Sequence, residues 1–204
     1  MQQFAVRFAN NPHLRIPETH SELCTPRVLT MEWLDGQTLD SVNDLIEAGF
    51  DLDTVAKNGA EIFLEMIFGD GLYHADPHPG NIILMPGNVI GLLDFGMIGR
   101  MDEGLREDVE EILYAIVNRD STHLATLIAR IGQTPAGLDQ VAFRSDVADF
   151  VSQYASQTVG NFDVGRVLQE MMDMIYRYNI LLPPQVSVLI KTLITLEGLS
   201  LIHI

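Results

Sequence analysis

Basic residues are scarce in this chain: 12 Lys and Arg stand against 28 Asp and Glu, a formal net charge of −16 over 204 residues. A nucleic-acid-binding surface needs clustered cations to meet the phosphates, so no nucleic-acid partner is expected. Attraction to an anionic membrane by charge alone is excluded on the same ground. Cysteine is nearly absent. Cys24 is the single one, which rules out an internal disulfide and fits a reducing, cytoplasmic compartment. No stretch reaches roughly 18 uncharged apolar residues, the least that reads as a membrane span. The most apolar segment, Val186 to Ile204, is interrupted by Lys191 and Glu197. The N-terminus, MQQFAVRFANN, lacks the apolar core of a signal peptide. Internal repeats and low-complexity tracts are missing as well.

What remains is a chain of 47% hydrophobic residues, long enough for one domain with a sizeable core. Residues 1–10 read as the tail of a helix. Arg15-Ile-Pro and Arg27 to Leu34 read as two short strands around a polar turn, with Asp35-Gly36 breaking the second. Helical spacing covers 38–48 and 51–69, where Val55, Ile62, Phe63, Met66 and Ile67 share one face and Gly69-Asp70-Gly71 is the stop. The apolar runs Asn81 to Met85 and Val89 to Leu93, joined by Pro86-Gly87-Asn88, have the form of a β-hairpin. After Asp102 the pattern is helical throughout: 103–118, 121–131, 138–156, 164–179 and 184–198. Strands, then a loop–hairpin–loop unit, then helices make an α+β protein with a helical lobe.

The chemistry concentrates in His74-Ala-Asp-Pro-His-Pro-Gly-Asn81, the hairpin, and Asp94-Phe-Gly96. A hairpin brings its ends together, so Asp94 is expected beside Asn81. Two hard oxygen ligands then converge, which suits Mg²⁺ held between protein and nucleotide phosphates. Asp76 is left to orient or deprotonate an attacking hydroxyl or water. Phosphoryl transfer asks little more of a protein than positioning and charge neutralisation. The bland readings stand beside these. Asp76, Asn81 and Asp94 are also common turn and cap residues. His74 reads as a core histidine bonded to backbone. His74-x-Asp76-x-His78 has zinc-type ligands, on a loop stiffened by Pro77 and Pro79. The acidic run Asp102 to Glu111 reads as a solvated helix start. Met171, Met172 and Met174 read as core, with a lipid-handling groove as the alternative.

These motifs resemble the kinase catalytic loop H-R-D-x-x-x-x-N followed by D-F-G. Upstream, Met31-Glu-Trp-Leu-Asp-Gly36 resembles a kinase hinge. That resemblance implies that Met31 is the gatekeeper, that the Glu32 carbonyl and Leu34 N–H face the adenine edge, and that His78 stands where protein kinases place a phosphate-contacting Lys, with loop packing as its other role. Within the kinase-like proteins the chain resembles the UbiB family, which includes the ADCK proteins. The shared wording is Arg27-Val-Leu-Thr-Met-Glu-Trp-Leu-Asp-Gly36, Tyr73 to Asn81, Asp94-Phe-Gly-Met-Ile-Gly99 and Lys191-Thr-Leu-Ile-Thr-Leu-Glu-Gly198. The family implies ATP and Mg²⁺ binding, ATPase or small-molecule kinase activity, and support of ubiquinone or related quinone biosynthesis. It also implies a lipid or quinone-precursor ligand, quinone-biosynthesis proteins as partners, and peripheral membrane contact through regions outside this chain. An aminoglycoside- or choline-phosphotransferase-like kinase shares the H-x-D-x-H-P-x-N loop and is the alternative enzyme. A nucleotide- or lipid-sensing kinase-like module without catalysis is the alternative non-enzyme.

The chain departs from protein kinases. Ala75 replaces the Arg before the catalytic Asp, so an activation-loop phosphate has no such partner. After Gly96 an acidic helix begins within about eight residues, and no A-P-E motif follows. A peptide-docking segment has no room. The resemblance divides the chain into 1–33, a remnant of the N-lobe ending in the hinge, and 34–198, the C-lobe. It sets the nucleotide loop, the strand Lys, its helix Glu and the K-x-G-Q signature upstream of Met1. The last six residues, Leu199-Ser-Leu-Ile-His-Ile204, are expected to be a non-native tail: they match the translated end of a transposon-based sequencing adapter, and they are expected to pack poorly.

Overall fold

The computed structural model describes residues 1–39, 42–154 and 164–201, and they divide into two compact units. The first comprises Met1–Ile98 with Gly198–Ile204, and the second Gly99–Glu197.

In the first unit, helix α1 (Gln2–Arg7) is followed by β1 (Leu14–Arg15), β2 (Gln37–Thr38), α2 (Val42–Glu47) and α3 (Leu52–Leu64). The α3 N-terminus is capped by Asp51, whose carboxylate accepts the Thr54 N–H at 3.2 Å and its hydroxyl at 2.7 Å. The expected helix over 51–69 is present, but its last turn, Glu65–Asp70, winds as a π-helix and stops at Gly71 with φ 66°. Side-chain periodicity does not separate i→i+4 from i→i+5 winding, so this was not legible beforehand. Strand β3 (Leu72–His74) leads through a 3₁₀ turn, Pro79–Asn81, into β4 (Ile82–Met85) and β5 (Val89–Leu92). The hairpin expectation holds: β4 and β5 pair antiparallel, Ile82 with Leu92 and Met85 with Val89. The connection takes positive φ at Gly87 (83°) and Asn88 (60°), the conformations these two residues tolerate best. A four-stranded sheet forms in the order β1-β5-β4-β2, with β1 parallel to β5. Leu84 and Leu92 are fully buried beneath it, with Ile62, Met66 and Ile67 of the α3 and π segment.

Three expectations need correction. Residues 27–34 are not a strand: one bridge joins Met31 to Thr19, and Arg27-Val28 lie in a turn where Val28 exchanges hydrogen bonds with Thr25. Pro17 and Pro26 lack the N–H groups a longer ladder needs, and a 3₁₀ turn at Ser21–Leu23 separates the two sides. The strand expected at Arg15 is instead Leu14–Arg15, paired with β5. The helix expected over 38–48 is confined to Val42–Glu47, because Gln37-Thr38 pair with Leu84 and Ile83 of β4.

This β2–β4 contact depends on Gly36. A Cβ there would overlap the Leu84 carbonyl oxygen and lie 2.6 Å from Ile83 Cγ2. Gly36→Ala is expected to destabilise the protein by about 1–3 kcal/mol in urea unfolding. Gly137→Ala, whose Cβ meets open space, is expected to shift the midpoint little.

Strand β6 (Ile98–Arg100) leads into the second unit, which contains α4 (Glu103–Val117), α5 (Ser121–Ile131), α6 (Gln140–Tyr154), α7 (Val164–Arg177) and α8 (Pro184–Leu201) as far as Glu197. These match the helical expectations; 155–156 of the third lie outside the described residues. Asp102 and Asp120 cap α4 and α5 by accepting the Leu105 and His123 N–H groups, each at 2.9 Å. The acidic run is therefore a capped helix start, and its Asp108 and Glu111 pair with Arg130 at 2.7 and 2.8 Å. Met171, Met172 and Met174 are buried in a core with Leu127, Phe143, Val147 and Ile190, as core packing requires. Helix α8 continues past Gly198 to Leu201, and residues 202–204 of the expected tail lie outside the described residues.

Candidate active site

All the residues singled out for chemistry lie in the first unit. The hairpin sets their spacing. Asn81 ends the 3₁₀ turn before β4, and its carbonyl accepts the Leu93 N–H at 2.8 Å, extending the β4–β5 ladder by one step. Asp94 is the next residue after that anchor, so its backbone starts beside Asn81, as the sequence required.

The Asn81 side chain is buried and donates from Nδ2 to the Asp76 carbonyl at 3.0 Å. That bond spans the loop from Asp76 to Asn81 and, among the described residues, leaves Oδ1 as the amide's free end. Asp94 has φ 44°, a left-handed conformation that costs a non-glycine residue about 1–2 kcal/mol. Its Oδ1 accepts the Gly96 N–H at 3.0 Å, which offsets part of that cost and leaves Oδ2. Asn81 and Asp94 thus each offer one hard oxygen from neighbouring backbone positions. A donor set of that kind fits Mg²⁺, which takes few protein oxygens and completes its shell with water and phosphate.

His74 is fully buried and does the structural work its neighbours imply. Nε2 donates to the Leu93 carbonyl at 2.8 Å, and Nδ1 accepts the Asp76 N–H at 3.2 Å. These two bonds fix the neutral tautomer, and burial pushes the imidazole below its ordinary pKa. His74 therefore ties both flanks of the site together: the strand end before Asp94 and the backbone of Asp76. The neighbouring Tyr73 hydroxyl, also buried, is pushed up to about 12 by desolvation.

Phe95 packs edge-on to His74 with centroids 5.0 Å apart, and against Phe4 of α1 at 4.9 Å. Phe4 was not singled out from sequence. The only hint was its i, i+4 spacing with Phe8, against which it stacks at 6.2 Å. Helix α1 is held in turn by Arg7, which donates to the Asp70 carbonyl at 3.2 Å in the π segment. A continuous aromatic column from α1 to the loop thereby sets the direction in which Asp94 leaves the hairpin.

Asp76 is partly exposed, with Oδ2 3.8 Å from His78 Nε2. His78 Nδ1 accepts the Gly80 N–H at 3.1 Å. At the hinge, Met31 is half-buried and Leu34 buried, its Cδ1 pressed over Gly91 of β5. Among the described residues neither the Glu32 carbonyl nor the Leu34 N–H makes a hydrogen bond. The Glu32 side chain is engaged separately, accepting from Arg15 Nη2 at 2.6 Å and from the Glu18 N–H at 3.0 Å. The Arg15 hydrogen bond holds this carboxyl below its usual range. Trp33 between them is exposed.

Comparison with known proteins identifies relatives along most of the chain. The ABC1 atypical kinase-like domain matches residues 1–128, and the UbiB helical domain matches residues 147–202. A chloroplastic, uncharacterized aarF domain-containing protein kinase of Arabidopsis thaliana is 32% identical over 91% of the chain. A "Probable protein kinase UbiB" of Glaesserella parasuis is 30% identical over 95% of it. The chain spans 26% and 36% of the lengths of these two relatives. Rv3197 of Mycobacterium tuberculosis, solved in complex with erythromycin, has the same fold, with a TM-score of 0.65 at 19% identity over 97% of this chain and 51% of that one. The expected α+β, kinase-like fold is the fold observed, and the chain belongs to the UbiB/ABC1 family of atypical kinase-like proteins.

Proposed function

We propose that this chain supplies the catalytic loop, metal ligands and hinge of a UbiB-type atypical kinase or ATPase, and that the full-length protein acts on Mg-ATP in support of isoprenoid-quinone biosynthesis. The observation that carries the reading is the hairpin root, where Asn81 and Asp94 present one free oxygen each beside the loop bearing Asp76. Asn81 and Asp94 would hold Mg²⁺ at these oxygens, where it would supply charge neutralisation for the nucleotide phosphates. Asp76 accepts the proton of the attacking hydroxyl or water. The Glu32 carbonyl and Leu34 N–H, both free of described partners, bind the adenine edge, and Met31 closes its back. Only Met97 to Asp102 separate Gly96 from α4, which leaves no platform for a peptide. The acceptor is therefore a small molecule, a lipid or quinone precursor, or water. No described helix is long and apolar enough to cross a membrane. Membrane contact, and contact with quinone-biosynthesis proteins on the cytoplasmic side, falls to the rest of the full-length protein.

The test is calorimetric titration of the full-length protein with Mg-ATP, followed by a phosphate-release assay with and without a protein substrate. Magnesium-dependent binding and hydrolysis are expected, with no stoichiometric phosphoprotein. A protein that binds no nucleotide overturns the reading. Stoichiometric phosphorylation of a protein substrate overturns the assignment of a small acceptor.

A further inference from the structure

We infer that His78 is a positioning residue for Asp76, holding that carboxylate in the orientation from which it takes a proton, and is not a phosphate ligand. The inference rests on the reading of Asp76 given above.

Three features immobilise the imidazole. Pro77 and Pro79 fix the backbone φ on either side of it. Nδ1 accepts the Gly80 N–H at 3.1 Å. The ring also lies against Gly80 itself, where a Cβ would come within 3.0 Å of Cε1 and 3.2 Å of Nδ1. An acceptor at Nδ1 puts the proton of the neutral ring on Nε2. Nε2 is the atom that faces Asp76 Oδ2, at 3.8 Å. The donor end of a rigid ring is thus already aimed at the carboxylate. A phosphate ligand needs the opposite design, a donor with reach that is free to turn toward the anion. Here one ring nitrogen is occupied by backbone and the other is directed at Asp76, so the ring is not free to turn. Asp76 is anchored from behind as well, through its N–H to His74 and its carbonyl to Asn81. The His78 contact is made to the side chain itself, at Oδ2.

Two substitutions separate the roles in the full-length protein. His78→Asn keeps an acceptor for the Gly80 N–H and places nothing against Asp76. His78→Gln brings an amide N–H to roughly the position of Nε2. Turnover is expected to fall on the order of tenfold in His78→Asn, with Mg-ATP affinity unchanged within about twofold. His78→Gln is expected to recover most of that turnover. In an Asp76→Asn background, His78→Asn is expected to cost nothing further, because its effect acts through the missing carboxylate. A thermal melt of each variant keeps lost contacts apart from lost folding, and His78→Ala replaces His78→Asn if the latter unfolds. Reduced nucleotide affinity in both folded single variants assigns His78 to the phosphates and overturns the inference. Wild-type turnover in His78→Asn assigns it to loop packing, with the same result. Undiminished turnover in Asp76→Asn alone overturns the reading of Asp76 itself, and the inference with it.

Discussion

Asp94→Asn in the full-length protein is expected to abolish magnesium-dependent ATP binding, lowering affinity by about 100-fold or more. That loss corresponds to roughly 3 kcal/mol. The substitution is well isolated. Asn keeps the Oδ1 that accepts the Gly96 N–H and tolerates φ 44° as readily as Asp does. Backbone and turn therefore persist, and what disappears is the negative charge on one of the two oxygens proposed as metal ligands. A hard divalent cation that draws on so few protein ligands depends heavily on that charge. Calorimetric titration in Mg²⁺ and in excess chelator reads the effect. Affinity equal to wild type in both media would remove Asp94 from the metal site.

Asp76→Asn is expected to divide the two kinetic parameters instead. Loss of a general base costs about 10²- to 10⁴-fold in turnover. Nucleotide affinity is expected to stay within about threefold, because Asp76 is not one of the two proposed metal ligands. The backbone contacts of this residue, from its N–H to His74 and its carbonyl to Asn81, are untouched by the change. The loop geometry therefore survives the loss of the carboxylate. Single-turnover rates and equilibrium binding measured on the same preparation decide the matter. Parallel losses in both would give Asp76 a structural role.

Much of this site was legible because its determinants are local. The β4–β5 hairpin follows from alternating apolar residues around Pro86-Gly87-Asn88, and its register alone places Asp94 one step past the residue bonded to Asn81. Helices α3, α4 and α5 were placed by their apolar spacing, and the structure adds the Asp51, Asp102 and Asp120 caps at their starts. The helical second unit was equally plain, since the apolar faces of α5 and α7 repeat at helical spacing. Segments 27–34 and 38–48 were misread because their state depends on distant partners. Thr19 meets Met31 across a proline-interrupted turn, and β4 draws Gln37-Thr38 out of the helical pattern.

Spacing along the chain carried the candidate inventory and its order: the hinge-like segment, Asp76, Asn81, Asp94, and a short segment between Gly96 and α4. These are residue types at short spacings, which backbone geometry turns into neighbours. How each side chain is aimed follows from contacts between segments distant in the chain. Phe4 reaches Phe95 from another helix, Gly36 lets the hinge close on Leu84, and Leu34 covers Gly91. His74 becomes a neutral brace and His78 turns its donor toward Asp76 through bonds to Leu93 and Gly80. Rotamer and tautomer are set by what surrounds a side chain after the chain has closed on itself, and spacing along the sequence carries no record of that.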